Sequence, residues 1–196
     1  MDSKSYEISL RRDGSNLTNL FNHYKNNEGL LWKQKYIENL KLSLRSLVDI
    51  DVADLRDFMT LRLLEKNREV ELSDVSEGTI KMMLWGMLFC APSSVKYDLL
   101  AIDEPEANLH PAWQKILADN ILLSESYEQC VISTHSPDFL DRFTDAFING
   151  IVSVYVFDLQ GHINNISYRE IAEDLGDWQL GDLYRTQDPA LGGWPW

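Results

Sequence analysis

Two neighbouring carboxylates at the end of an apolar run are the residues best placed to do chemistry. Residues 99–102 (Leu-Leu-Ala-Ile) are followed directly by Asp103 and Glu104. A strand that ends in this pair offers one oxygen ligand for Mg²⁺ and a second carboxylate that can orient or deprotonate an attacking water. The pattern predicts phosphoryl transfer, with Asp103 as the metal ligand and Glu104 as the base. The alternative is an acidic turn after an ordinary core strand.

A histidine occupies the equivalent place after a second apolar run. His135 follows residues 130–133 and precedes Ser136 and Pro137, a pair that turns the chain away from the strand. An imidazole in this position can hydrogen-bond a γ-phosphate or the attacking water. We therefore predict a catalytic role for His135, and the alternative is a structural histidine at a strand end.

A third segment, with Ser76, Glu77 and Gly78, precedes a long apolar stretch that is predicted to be helical. A helix start of this kind presents backbone N–H groups, a hydroxyl and the positive end of the helix dipole. Gly78 lets the backbone approach an anion closely. The three residues are predicted to bind a nucleotide phosphate, and the alternative is that Ser76 only caps a core helix.

The loop at residues 106–110 leaves the acidic strand and enters a helix that begins at Pro111. Its position predicts that Asn108 contacts a second subunit at a shared nucleotide. Alternatively, Asn108 and His110 simply cap the helix.

Short apolar strands and an amphipathic helix must position these side chains. Residues 71–196 read as alternating strands and helices, with strands at 99–102, 130–133 and 151–157 and a helix at 111–123. This alternation indicates an α/β fold with a largely parallel sheet flanked by helices. Ligands in such sheets bind at the carboxyl ends of the strands, where the polar residues fall. Residues 1–70 are predicted to form a mostly helical segment in front of this part.

Composition narrows the class of protein further. The chain has 196 residues, and 44% of them are hydrophobic, which excludes a mainly disordered chain. Its net charge of −13 argues against sequence-independent nucleic-acid binding. Cys90 and Cys130 lie in apolar runs and are predicted to be reduced core thiols. The start lacks a secretory pattern and no apolar run is long enough to span a bilayer, so we expect a soluble cytoplasmic protein.

Taken together, the motifs resemble those of the ATP-binding-cassette class of ATPases, in the branch of AAA-type, OLD-like and structural-maintenance-of-chromosomes-like soluble bacterial proteins. The matching segments are Ser-Glu-Gly-Thr, Asp-Glu-Pro-Glu-Ala-Asn-Leu-His-Pro and Ser-Thr-His-Ser-Pro. In family order they are the signature loop (75–79), the Walker B strand (99–104), the D-loop (106–110) and the switch histidine (His135). The resemblance covers about residues 72–140 and implies P-loop NTPase-like layers.

The resemblance also implies roles for the residues. Two cassettes of this class sandwich two ATP molecules, and Asp103 would help to hold Mg²⁺ while Glu104 polarises the water. His135 would steady the γ-phosphate, and Ser76 with Gly78 would bind the γ-phosphate held by the partner. ATP and Mg²⁺ are the implied cofactors, and many proteins of this branch serve in antiphage defence or DNA maintenance.

The sequence departs from the family in one respect. No Gly-x-x-x-x-Gly-Lys-[Ser/Thr] segment occurs in it, so it reads as the C-terminal half of a cassette without the P-loop half. We expect the isolated chain to be inactive and to need a P-loop-bearing half or a second ATPase protomer as its partner, with an effector nuclease as a further partner.

Two other functions stay open. One is a non-hydrolysing interaction protein that docks on a complete ATPase and offers Ser76, Glu77 and Gly78 to it. The other is a metal-dependent nuclease, for which Asp158 at the end of residues 151–157 is the only candidate after residue 150. That segment is better explained as a hairpin through Gly161. The aromatic C-terminal tail, which comprises residues 178–181, Tyr184 and residues 191–196, is predicted to cover a sheet edge or contact a partner.

Overall fold

The computed structural model describes residues 9–54, 58–157 and 161–186. Asp158 and the tail at residues 191–196 lie outside the described residues. In chain order the described elements are α1 (Leu17–Lys41), β1 (Leu47–Asp54), β2 (Met59–Glu65), β3 (Arg68–Glu71), a 3₁₀ turn (Leu72–Asp74), α2 (Glu77–Phe89), β4 (Tyr97–Asp103), α3 (Pro111–Leu123), β5 (Tyr127–Ser133), α4 (Pro137–Asp141), α5 (Thr144–Ile148), β6 (Val154–Phe157), β7 (Ile163–Ile166), α6 (Tyr168–Leu175) and α7 (Leu180–Arg185).

The chain divides into two compact units. The first unit contains Met1–Ile102 and Asn108–Val131, and the second contains Asp103–Ala107 and Ile132–Trp196. The last residues of β4 and β5 thus belong to the second unit. The division into domains at residue 70 stays a prediction.

An aromatic cluster on α1 forms the centre of the first unit. The helix changes direction at Gly29, whose φ of 74° is in the left-handed region that glycine tolerates. The two halves of α1 then bring the Phe21 and Tyr36 rings within 5.6 Å of each other. The Tyr36 hydroxyl donates to the carbonyl of Met83, and the Trp32 indole donates to that of Cys90, which ties α1 to α2.

The prediction of a mostly helical segment over residues 1–70 holds for α1 and is wrong for its last third. Strands β1, β2 and β3 form an antiparallel sheet in the order β1-β2-β3. Charged Asp49 and Asp51 alternate with buried or half-buried Ile50 and Val52, which is the two-residue period of a strand. The two-residue period therefore predicts the structure of β1 correctly, whereas the helical spacing of the surrounding leucines does not.

Strands β4 and β5 form the pair that was predicted to carry the chemistry. The amide of Tyr97 donates to Ser126 at one end, and the amide of Glu104 donates to Ser133 at the other, each over 2.9 Å. The offset along the chain is the same at both ends, so the strands are parallel. Helix α3, which begins and ends where the sequence predicts, connects them, and the predicted α/β class with a parallel strand pair is confirmed.

Strands β4 and β5 are apolar but are not buried on both faces. Leu99 is 55% exposed and Val131 of β5 is 60% exposed. Alternate residues of a strand point to opposite faces, and no described element covers the face that carries these two side chains. The pair is thus apolar and open on one side.

The second unit surrounds its own apolar core. Phe147, Ile171, Leu175, Leu180 and Leu183 are buried together. Strands β6 and β7 pair antiparallel, with Val154 opposite Ile166, and Gly161 between them has a φ of 83°. The hairpin predicted through Gly161 is therefore confirmed.

No helix among the described residues combines the length and apolar character that crossing a membrane requires.

Candidate functional site

The ends of β4 and β5 bring the predicted metal ligand next to a hydroxyl. The Ser133 hydroxyl donates to the Asp103 carboxylate, and the backbone bond from Glu104 to Ser133 keeps the two strand ends in register. Asp103 is exposed, so its carboxylate is open to a ligand on the solvent side. Sequence reasoning missed Ser133, although its place directly before the Thr-His pair was a usable signal.

Glu104 has an unusual backbone conformation. Its φ is +43°, in a region that costs a residue with a Cβ roughly 1–2 kcal/mol. Strained conformations of this kind cluster at sites where a side chain must be aimed. The Glu104 side chain is half exposed, and its Oε1 lies 3.9 Å from Nε2 of His135. The structure thus brings Glu104 and His135 together, as the sequence predicted.

His135 is also contacted from the C-terminal side of the chain. Its side chain is 67% exposed, and its Nδ1 atom lies 3.5 Å from the Tyr184 hydroxyl on α7. Its backbone position is set by α4, because Ser136 caps that helix by accepting from the amide of Phe139 over 3.2 Å. No local signal in the sequence places Tyr184 beside His135, because the two residues lie 49 positions apart.

Glu106 is a buried carboxylate with one unsatisfied oxygen. It is 7% exposed, the Thr134 hydroxyl donates to its Oε1, and its Oε2 has no hydrogen-bond partner among the described residues. Leaving such an oxygen buried costs free energy. Glu106 is thus hydrogen-bonded to Thr134, the residue directly before His135, and its Oε2 atom can still accept a hydrogen bond.

The first unit holds the loop that was predicted to bind phosphate. Ser76 caps α2, with its hydroxyl accepting from the amide of Thr79 over 3.2 Å, so its structural role is present. The amides of Glu77 and Gly78 are the first two of the helix and have no acceptor within it. Together with the helix dipole, they form a feature that suits an anion. A groove of about 190 Å³ adjoins Ser76 and Thr79.

Asn108 is positioned beside this loop. Its amide nitrogen donates to Oε1 of Glu77 over 2.9 Å, and its φ of +63° is one that asparagine tolerates better than most residues. A Cβ on Gly78 would lie 3.1 Å from the Asn108 carbonyl oxygen and 3.3 Å from the Trp113 ring. The absence of a side chain at Gly78 thus allows this close approach. Asn108 does not cap α3, because His110 does so by accepting from the amide of Ala112.

Asp103 is compatible with magnesium as part of an incomplete ligand set. No cluster of three or more Asp, Glu, His or Cys side chains suited to a metal occurs in the described part of the chain. Mg²⁺ is commonly held by one or two carboxylates together with substrate phosphates and waters. An exposed carboxylate with an adjacent serine hydroxyl fits that pattern when a nucleotide supplies the remaining oxygens.

Comparison with known proteins places the fold. A family model described as "AAA domain, putative AbiEii toxin, Type IV TA system" matches residues 2–141, more than half of the chain. A comparison with curated proteins returned no match.

Solved structures of chromosome-maintenance (SMC) ATPases are similar in fold. One, described as "Structural biochemistry of ATP-driven dimerization and DNA stimulated activation of SMC ATPases", has a TM-score of 0.54 and 14% identity over 81% of this chain and 96% of that one. An Smc head domain of Pyrococcus furiosus, bound to the C-terminal domain of ScpA, has a TM-score of 0.55 and 12% identity over 82% of this chain. An SmcHead bound to the C-winged helix domain of ScpA has a TM-score of 0.56 and 12% identity over 84% of this chain.

The chain spans 39% and 53% of the length of the latter two structures. At these identities the likeness shows a P-loop NTPase-like α/β fold, as the motifs implied. By its family match, the chain belongs to the AAA-domain family.

Proposed function

We propose that the chain supplies the catalytic edge and the signature loop of a dimeric ATP-hydrolysing cassette. The observation that carries the proposal is the grouping of Asp103, Glu104 and His135 at the ends of two parallel strands. The strained backbone of Glu104 supports it, because conformations of this kind cluster at functional sites.

In this proposal each side chain has a defined task. Asp103 would hold Mg²⁺, and the ion, when bound, would neutralise charge that develops on the phosphates. Glu104 accepts a proton from the attacking water, and His135 donates a hydrogen bond to the γ-phosphate. All three groups are exposed at the ends of the two strands, so a nucleotide can reach them.

The signature loop acts on the nucleotide of the opposing protomer. Ser76, Glu77 and Gly78 offer a hydroxyl and two helix-start amides to its γ-phosphate. Asn108 holds the Glu77 side chain through the 2.9 Å hydrogen bond and so keeps the carboxylate turned toward the D-loop. The Ser76 hydroxyl and the amides of Glu77 and Gly78 are then the groups that contact the γ-phosphate.

The P-loop comes from outside these residues. A segment with the P-loop pattern is absent from the sequence, and such a loop supplies the backbone amides and lysine that hold the β- and γ-phosphates. The open apolar face at Leu99 and Val131 is a suitable surface for a P-loop-bearing half. We further propose a cytoplasmic location, consistent with two free cysteines.

A role in bacterial defence or DNA maintenance is the context we propose. The family description names a toxin–antitoxin system, and the description of one similar structure names DNA-stimulated activation of SMC ATPases. These statements concern those proteins and motivate the choice of cells and substrates for testing this one.

The test is ATP hydrolysis by the chain alone and mixed with a P-loop-bearing AAA polypeptide from the same genome. We expect no hydrolysis by the chain alone and hydrolysis by the mixture. Glu104→Gln should lower the rate of the mixture about 100-fold or more while ATP-dependent association, followed by light scattering, persists. Glu125→Gln, next to the opposite end of β5, is the matched control and should leave the rate unchanged.

The signature loop needs variants that keep the helix cap. Ser76→Asp preserves an N-cap side chain but places a negative charge against the phosphate, whereas Ser76→Asn preserves the cap without the charge. We expect Ser76→Asp to abolish ATP-dependent association and Ser76→Asn to weaken it far less. Hydrolysis that is unaffected by Glu104→Gln but lost in Ser76→Asp would instead identify a non-hydrolysing interaction protein.

A further inference from the structure

Two contacts of the His135 ring favour a proton on Nε2 over a proton on Nδ1. Nε2 lies on the side of the Glu104 carboxylate, at 3.9 Å from Oε1, and an ionised carboxylate can only accept a hydrogen bond. Nδ1 lies 3.5 Å from the Tyr184 hydroxyl, which can donate to it. With the proton on Nε2, both contacts are favourable. With the proton on Nδ1, the Nε2 lone pair would face the negative carboxylate.

Helix α7 is fixed against α4, the helix that begins directly after His135. The Arg185 guanidinium forms ion pairs with Asp138 and Asp141 of α4, the latter at 3.1 Å. The amide of Gly181 donates to Asp141 over 2.7 Å. A Cβ on Gly181 would collide with the Pro137 carbonyl oxygen. These contacts hold the helix that carries Tyr184 in a defined place beside the histidine.

We propose that Tyr184 is a positioning residue that holds His135 as the Nε2–H tautomer, with the Nε2–H directed toward the phosphate side of the site. The catalytic consequence rests on the proposed function, since it is the Nε2–H that would donate to a γ-phosphate. The structural part of the proposal concerns only this chain and holds without a nucleotide. The C-terminal helix thereby takes part in the site through His135.

The experiment is long-range ¹H–¹⁵N correlation spectroscopy of the histidine ring in the full chain. It is recorded at alkaline pH, because the protonated and unprotonated nitrogens of a neutral imidazole ring resonate apart. We expect the wild-type His135 spectrum to show Nε2 as protonated and Nδ1 as unprotonated. Tyr184→Phe, which removes only the hydroxyl, should move both signals toward the average of a tautomer mixture. Tyr155→Phe, an exposed tyrosine on β6, should leave them unchanged.

A second variant keeps the proposal testable even where Tyr184→Phe fails to fold. Arg185→Gln keeps the tyrosine but weakens the attachment of α7, so a smaller shift in the same direction is expected. Protonation of Nδ1 in the wild type, or identical ring signals in wild type, Tyr184→Phe and Arg185→Gln, would overturn the proposal. In the active assembly, Tyr184→Phe should lower the hydrolysis rate about tenfold or more without weakening ATP binding. A ring shift together with an unchanged rate would leave the positioning intact and overturn its catalytic part.

Discussion

The amide nitrogen of Asn108 donates to Oε1 of Glu77 over 2.9 Å and so joins the loop before α3 to the start of α2. Thirty-one residues of sequence separate the two side chains. Asn108 and Glu77 are therefore in direct contact within the first unit. Substitution of either residue is expected to change the position of the other.

Substitutions of Asn108 should separate its backbone and side-chain contributions. Asn108→Ala loses the hydrogen bond and places a Cβ residue without a compensating polar group at a φ of +63°, which we expect to cost about 1–2 kcal/mol. Asn108→Gly loses the same bond but relieves the backbone, so its cost should be less than half as large. Urea unfolding of the chain measures both, and equal losses would contradict this account.

Glu104 should show a conflict between stability and activity. Its φ of +43° is disfavoured for any residue with a Cβ. Glu104→Gly should therefore be more stable than Glu104→Ala by about 1 kcal/mol, and both variants should lack hydrolysis in the assembled ATPase. The control pair is Glu125→Gly and Glu125→Ala, for which alanine should be no worse than glycine. A more stable Glu104→Ala would show that the backbone there is unstrained.

Gly181→Ala should destabilise the second unit. A methyl group at this position meets the Pro137 carbonyl oxygen and the Asp141 carboxylate, and the Pro137 carbonyl is backbone that cannot simply rotate away. Overpacking of this kind typically costs about 1–3 kcal/mol. Thermal unfolding should register the loss, whereas Thr186→Ala at the exposed end of α7 should change stability by less than about 1 kcal/mol. A Gly181→Ala protein as stable as the wild type would refute the close contact between α4 and α7.

Two thiols should make the chain less stable at alkaline pH. Burial raises the pKa of Cys90 to about 11 and is also the main cause that raises the pKa of Cys130 to about 11, whereas an unfolded thiol ionises near a pKa of roughly 8.5. The unfolded chain then releases protons that the folded chain retains, so stability is complete below about pH 8.5 and falls as the pH rises toward 11. Burial raises the pKa of Tyr24 and Tyr36 as well, and their contribution begins only near pH 10.

Urea unfolding between about pH 8 and pH 10 isolates the thiol contribution. Cys90→Ala should show a shallower loss of stability across this interval than the wild type, whatever its absolute stability. The same thiols should react slowly with iodoacetamide at pH 8, because the thiolate is the reactive form. Rapid alkylation of the folded chain, or parallel stability curves for wild type and Cys90→Ala, would show that the thiols are not shielded.

The accuracy of the sequence predictions depended on whether a signal was local. Helix α3 was predicted over its full length because Pro111 marks its start and its apolar residues recur with a helical period. Strands β1 and β2 were missed because leucines at helical spacing obscured the alternation of Asp49 and Asp51 with apolar neighbours. Only a tertiary structure places a residue as distant as Tyr184 next to His135.

Within the candidate site the same distinction holds. Asp103, Glu104 and His135 follow strands directly, so their meeting could be predicted from the parallel pairing. The left-handed backbone of Glu104 could not, because nothing in the residue type favours it. The unsatisfied oxygen of Glu106 was equally hidden, since it depends on how tightly the surrounding chain encloses that carboxylate.

The exposed apolar face of β4 and β5 has a consequence for the cellular abundance of the protein. Leu99 of β4 and Val131 of β5 present apolar surface on the exposed face of this strand pair. Copies that expose such surface are substrates for chaperones and proteases, whereas copies covered by a partner are protected. With the proposed P-loop-bearing partner covering this face, the amount of the chain should follow the amount of that partner, because surplus copies are degraded.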